Sequence, residues 1–266
     1  MKLPLIVEPE TLLQALGTPN LLIVDLSSEQ GYASGHVPGA VYVSPRELVA
    51  GTPPAPGKLP GLERLTQLFS RLGLSPDTHV VVYDDEGGGW AGRFIWTLDV
   101  IGHSHYSYLN GGIWAWRGMN GPLQTETNTP IAKPAHVEIH GEAMADMQEI
   151  KSHLGEPDFV IWDARGADEY AGTKNTAQKN GHIPGAIHCE WTELMDRAAD
   201  LRIRADARQH LANKGITADK NIVTHCHTHH RSGLTYLVGR LLGFNIRAYP
   251  GSWSEWGNDP TTPVEK

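Results

Sequence analysis

Short runs of Val, Ile and Leu punctuate this chain, with longer helical patterns between them. Leu22-Ile23-Val24-Asp25, Val80-Val81-Val82-Tyr83, Val160-Ile161-Trp162-Asp163 and Ile222-Val223-Thr224 read as buried strands. Leu62, Leu65, Leu68, Phe69 and Leu72 fall on one side of a helix, and Leu234, Leu237, Val238, Leu241 and Leu242 mark another. Strands alternating with helices predict an α/β fold, its mostly parallel sheet flanked by helices on both faces. Ligands of such sheets bind outside the C-terminal ends of the strands.

The pattern occurs twice, in the same order. Leu22–Asp25 matches Val160–Asp163, Ser34-Gly35-His36-Val37-Pro38-Gly39-Ala40 matches Asn180-Gly181-His182-Ile183-Pro184-Gly185-Ala186, and Gly111–Trp116 matches Gly251–Trp256. Two tandem copies of one domain explain this better than chance. The first copy is predicted over residues 1–124 and the second over 137–266. Residues 125–136, rich in Thr, Asn, Pro and Lys and without a period, read as the linker. Counting back from Gly102 and Gly243 sets Asp85 opposite Cys226, so the first copy reads as a non-catalytic partner that shapes a cleft. The carboxylates of Asp85 and Glu86 read as helix caps.

Composition narrows the setting. The chain has 266 residues, two cysteines and a formal charge of −8. That charge argues against nucleic acid or an anionic membrane as a partner. No apolar run approaches the roughly 20 residues that span a bilayer, and no signal-peptide core is recognisable at the start. Two cysteines make no disulfide framework, so a cytoplasmic protein with reduced thiols is expected, a monomer being the simplest state.

The chemistry concentrates after the last of the four strands, in Cys226-His227-Thr228-His229-His230-Arg231-Ser232-Gly233. A thiol at a strand end, on a loop entering a helix, meets inward-pointing N–H groups that favour an anion, so its pKa should be lowered. Arg231 adds a permanent charge with a planar fork, and His227, His229 and His230 add charge below about pH 6.5.

These residues resemble the tandem-domain rhodaneses, the bacterial thiosulfate sulfurtransferases, across essentially the whole chain. The two His-Val/Ile-Pro-Gly-Ala segments are similar to the family's first signature, Asp163-Ala164-Arg165 to the Asp-x-Arg before it, and Gly251–Trp256 to its C-terminal signature. The resemblance implies two rhodanese-like domains, the first inactive. It implies that Cys226 takes the outer sulfur of thiosulfate as a persulfide, releases sulfite, and passes the sulfur to cyanide or another thiophile, with no metal or cofactor. Thr228, Ser232 and Gly233 join Arg231 and the three histidines as loop residues facing substrate, and Trp191 is a candidate cleft wall. Glu169 stands where some members carry an anion-binding arginine, a role Arg231 would then assume.

Three other readings are weaker. A 3-mercaptopyruvate sulfurtransferase would carry a small, uncharged loop. A phosphatase or arsenate reductase would carry Cys-x-x-x-x-x-Arg, and this loop is one residue shorter. A sulfur- or metal-binding module without activity fits poorly with an intact Cys226 and Arg231, and the crowded His/Cys spacing is unlike zinc sites. Cys189 reads as a small buried thiol, and His36 and His182 as structural hydrogen-bonders because both copies have them. Trp114, Trp116, Trp253 and Trp256 read as core or interdomain aromatics.

Overall fold

The chain is described over residues 3–266 by a computed structural model. The first half contains β1 (Ile6–Val7), α1 (Pro9–Ala15), β2 (Leu21–Asp25), α2 (Glu29–Ser34), β3 (Val41–Tyr42), α3 (Leu62–Arg71), β4 (His79–Tyr83), α4 (Gly89–Val100), β5 (Tyr106–Leu109) and α5 (Gly112–Gly118). The second contains α6 (Met147–Ser152), β6 (Phe159–Asp163), α7 (Ala167–Tyr170), β7 (Ile187–His188), a short ribbon of β8 (Met195–Asp196) and β9 (Arg202–Ile203), α8 (Ala207–Asn213), β10 (Asn221–His225), α9 (Arg231–Leu241), β11 (Asn245–Ala248) and α10 (Ser252–Trp256). The main sheets are parallel, in the orders β1-β5-β4-β2-β3 and β11-β10-β6-β7. Met144 bridges the free edge of β11 as β1 does that of β5, completing the likeness.

The apolar runs become strands because helices cover both faces. β4 is buried along its whole length, and β10 from its second residue on. Residues 125–140 form neither helix nor strand, yet they are not a free spacer. Asn128 donates to the Ala40 carbonyl, and the Lys133 and Ala135 amides bond Ser70, so this stretch straps the first half. No helix among the described residues is long and apolar enough to cross a membrane.

The helix after the thiol loop departs from its amphipathic pattern. α9 is buried at every residue from Ser232 to Gly239, and α4 is buried almost all round. Each covers its own sheet and lies against the other. The two backbones touch, for a Cβ built on Gly92 would lie 2.2 Å from the Gly233 carbonyl oxygen. Beyond that point Asp99 accepts the hydroxyls of Tyr106 and Tyr236, one from each half.

Gly92→Ala tests this contact. Alanine favours a helix by about 1 kcal/mol over glycine, but the added methyl meets backbone that has no rotamer to change. Overpacking of about 1–3 kcal/mol should win. A lower urea midpoint is expected, and an unchanged or higher one would show that the helices separate easily.

Candidate active site

Strand pairing corrects the match between the two loops. Asp25 pairs with Tyr83 in one sheet, and Asp163 with His225 in the other. The residue after each strand is therefore Asp84 in the first half and Cys226 in the second, so Asp84, not Asp85, is the counterpart of Cys226. α4 has 12 residues and α9 has 11, and counting back from the glycines beyond them misses the loop by one.

Asp84 shows what this loop shape binds. A single oxygen, Oδ1, accepts the backbone N–H groups of Glu86, Gly87 and Gly88 at 3.1, 3.0 and 2.8 Å, and Oδ2 accepts that of Ala91 at 3.0 Å. Three donors converge on one atom, as expected of a loop turning into a helix N-terminus.

Cys226 is 1% exposed, at the corresponding point. Its amide donates to Ser252 Oγ at 3.3 Å, and its carbonyl accepts the Trp253 amide at 3.0 Å. Burial pushes the thiol up, but the Arg231 charge, the Ser232 hydroxyl and amide, and His230 together hold it below its ordinary value. Arg231 is not free, however. Both its terminal nitrogens bond Glu169, at 2.5 and 3.0 Å, and that carboxylate is almost wholly buried. Burial raises the Glu169 carboxyl, but Arg231 outweighs this and brings it below its usual value. Glu169 thus fixes the guanidinium and shares its charge.

The histidines divide. His229, in the left-handed region at φ 53°, turns wholly inward, where its Nδ1 meets Ser232 Oγ at 2.7 Å and its ring stands edge-on to Trp96. Burial, then Arg93, push it well below its ordinary pKa, and burial also lowers the half-exposed His227. Neither adds the positive charge near neutral pH that a histidine-rich loop suggests, because both are desolvated. Gly233 faces α4, and Thr228 lays its carbonyl against Gly57 of the first half. His230 keeps 23% of its side chain exposed. It is stacked on Trp90 at 4.2 Å, tilted towards Trp191 at 5.7 Å, and bonded to Glu86.

The first half therefore contributes Glu86, Trp90 and Arg93 to the surroundings of the thiol. Sequence reading missed the last two and took Glu86 for a cap. The visible signal was a carboxylate, an indole and an arginine around the helix start opposite the thiol loop. Behind the site, Asp163 and Arg165 form a fully buried pair, with Arg165 over Trp253. His36 and His182 do the same work in both halves, bonding the carbonyls of Tyr32 and Tyr170 and stacking on those rings. Trp116, Trp253 and Trp256 are core, whereas Trp114 is exposed and donates to the Asp85 carbonyl.

Among the described residues, the potential metal ligands that converge are elsewhere: Cys189, Glu193 and His210. Lys214 already sits 3.0 Å from Glu193, and burial pushes the Cys189 thiol up to about 12. Cys189 is thus a buried thiol that stays protonated near neutral pH.

Known proteins resemble this chain along most of its length. The rhodanese-like domain model matches residues 8–119 and again 146–259. A thiosulfate sulfurtransferase of Pseudomonas aeruginosa is 54% identical over 264 residues, covering 99% of this chain and 97% of that protein. One from Azotobacter vinelandii is 53% identical with the same coverage. The 3-mercaptopyruvate sulfurtransferase of Escherichia coli is more distant, 29% identical over 91% of this chain and 87% of its own. The crystal structure of YnjE shares the fold, with a TM-score of 0.85 at 24% identity, over 98% of this chain and 68% of that one.

Glu169→Gln should release the charge that Arg231 shares, and the Cys226 thiol should become more acidic. The pH profile of Cys226 alkylation would then move to lower pH. A move to higher pH would mean that Arg231 swings away once its carboxylate is gone.

Proposed function

The chain belongs to the rhodanese family, and from that premise we propose that it is a thiosulfate sulfurtransferase working through a persulfide on Cys226. The observation that carries this reading is the length of two side chains in matching loops. The Asp84 carboxylate oxygen, three bonds from Cα, accepts three N–H groups. A cysteine sulfur lies only two bonds out. A second sulfur bonded to it would stand at the third bond, the reach at which Asp84 meets its amides, while the Ser232 amide already serves the Cys226 sulfur itself. The loop fits one anionic atom rather than a tetrahedral phosphoryl group, which favours sulfur transfer over phosphatase or arsenate reductase chemistry.

The steps follow from that fit. The Cys226 thiolate, favoured by Arg231, Ser232 and His230, attacks the outer sulfur of thiosulfate. The new Sγ–S bond forms as the old S–S bond breaks, and its electron pair leaves on sulfite. Cyanide or another thiophile then attacks the terminal sulfur, and the Cys226 thiolate is released. Arg231, with a fifth of its side chain exposed, would meet the sulfonate head, and His230, Trp90 and Trp191 would frame its approach. His227, Thr228 and Ser232 complete the loop, while the buried His229 and Gly233 act through its shape. Thiosulfate is favoured over 3-mercaptopyruvate by the arginine and by the nearer relatives. No metal or organic cofactor enters the reaction. Two unpaired cysteines suit a cytoplasmic setting, and the two halves, packed through α4 and α9, suit a monomer.

Cys226→Ala should abolish thiosulfate:cyanide sulfur transfer with the fold intact. The wild-type chain should gain the mass of one sulfur atom from thiosulfate and lose it to cyanide. Activity in the alanine variant, or no cyanide-labile sulfur in the wild type, would sink the mechanism. Because the Cys226 pKa is lowered, the rate of sulfur uptake should rise with pH and level off below the ordinary thiol range near 8.5. Arg231→Ala should lower kcat/KM for thiosulfate by about 1.5–3 kcal/mol, the scale of a hydrogen bond to a charged group. An unchanged value would remove Arg231 from the substrate site.

A further inference from the structure

Arg93 is a fully buried arginine on α4, in the half without a thiol. Its Nη1 donates to the carbonyls of Gly57 at 2.8 Å and His229 at 3.4 Å, and its Nη2 to those of Leu48 at 2.7 Å and Lys58 at 3.5 Å. Nε has no partner, and the guanidinium lies 4.5 Å from the ring centre of Trp96. Every acceptor is neutral. A buried cation is normally paired with an anion, because neutral carbonyls offset only part of its lost hydration.

The other charged side chains around the thiol all have ionic partners. Arg231 has Glu169, Arg165 has Asp163, and Glu86 has His230. His225, His227 and His229 are each pushed below the ordinary histidine value, chiefly by burial. Burial lowers the Arg93 guanidinium to about 9, and the charge that counters this is the Cys226 thiolate. The guanidinium is also tied to that thiol's loop through the His229 carbonyl.

We propose that Arg93 is a positioning residue for sulfur transfer: from the thiol-free half it fixes the Cys226 loop and supplies the buried counter-charge for the Cys226 thiolate and the persulfide that follows. Arg231 acts on the thiol more strongly, but its charge is divided with Glu169. Arg93 has no carboxylate to divide with, and its fork spans both halves, holding Leu48 and Gly57 on one side and His229 on the other. The thiol-free domain is then a working part of the site. This proposal rests on Cys226 being the sulfur carrier.

The test separates charge from shape. Arg93→Lys keeps the charge and loses the fork, Arg93→Met loses both, and Arg93→Gln loses the charge but keeps N–H donors for the carbonyls. Iodoacetamide alkylation of Cys226 against pH, read by intact mass in folded protein, reports its thiolate without requiring turnover. The uncharged variants should raise the apparent pKa by about one unit or more, and the lysine variant by clearly less. Arg93→Gln serves if Arg93→Met does not fold. A purely structural role would lower the melting temperature and leave the profile in place. A folded uncharged variant with the wild-type profile overturns the proposal. Failure of the wild type to acquire cyanide-labile sulfur would instead sink the persulfide reading and would leave the alkylation profiles unaffected.

Discussion

Two helix backbones in contact, at Gly92 and Gly233, set the geometry on which everything else in this molecule depends. With no side chain between them, α4 and α9 come close enough for the loops at their N-terminal ends to meet. Gly57 then lies against the Thr228 carbonyl, Glu86 reaches His230, and Arg93 reaches the His229 carbonyl. A side chain at the crossing would separate the helices and move all three contacts together. The halves are therefore one site-forming unit, although only one carries the thiol.

Around the thiol, burial and charge oppose each other, and the balance is set by pairing. Desolvation alone would raise a buried thiol far above neutrality. What reverses this is a set of cations and N–H groups held in place by partners of their own. Glu169 keeps Arg231 from turning outward, and Asp163 does the same for Arg165. The cost of such pairs is a weaker field per charge, since each carboxylate cancels part of its arginine. An arrangement of this kind favours fixed geometry over maximal attraction, which suits a step where one sulfur atom must be placed and then released.

Much of the fold was legible in the sequence, because its signals are local. Four apolar runs, two His-x-Pro-Gly-Ala segments and two Trp-rich helix starts keep the same order in both halves, and each depends on neighbouring residues alone. The thiol was legible too, since a strand end followed by a polar loop and a helix is a local pattern. The rest of the site was not. Glu169 and Arg231 are 62 positions apart, and Glu86 and His230 are 144 apart. Nothing in spacing joins them, and a carboxylate near a helix start reads equally as a cap. The histidines misled for a related reason, since burial decides their charge and a loop's composition does not reveal which rings turn inward. The one-residue misplacement of the thiol's counterpart has a simpler cause. Equal helices were assumed in the two copies, and only the pairing of Tyr83 with Asp25 and His225 with Asp163 shows that α4 is the longer.

The corrected counterpart gives the duplicated fold its chemical meaning. In the first half the convergent amides are satisfied within the chain, because Asp84 brings its own carboxylate oxygen on a side chain of the right length. That loop has no capacity left for a substrate, and its carboxylates face outward to neighbouring groups instead. In the second half the side chain ends one bond sooner. A second sulfur on Cys226, as the proposed persulfide requires, would bring the side chain to the length at which Asp84 meets its amides. A terminal sulfur would be larger and more diffuse than a carboxylate oxygen and would accept N–H groups more weakly, which suits a cargo that must leave. Aspartate at this strand end thus seals its loop through four amides, whereas cysteine at the matching strand end leaves a thiol that Arg231, Ser232 and His230 hold below its ordinary pKa.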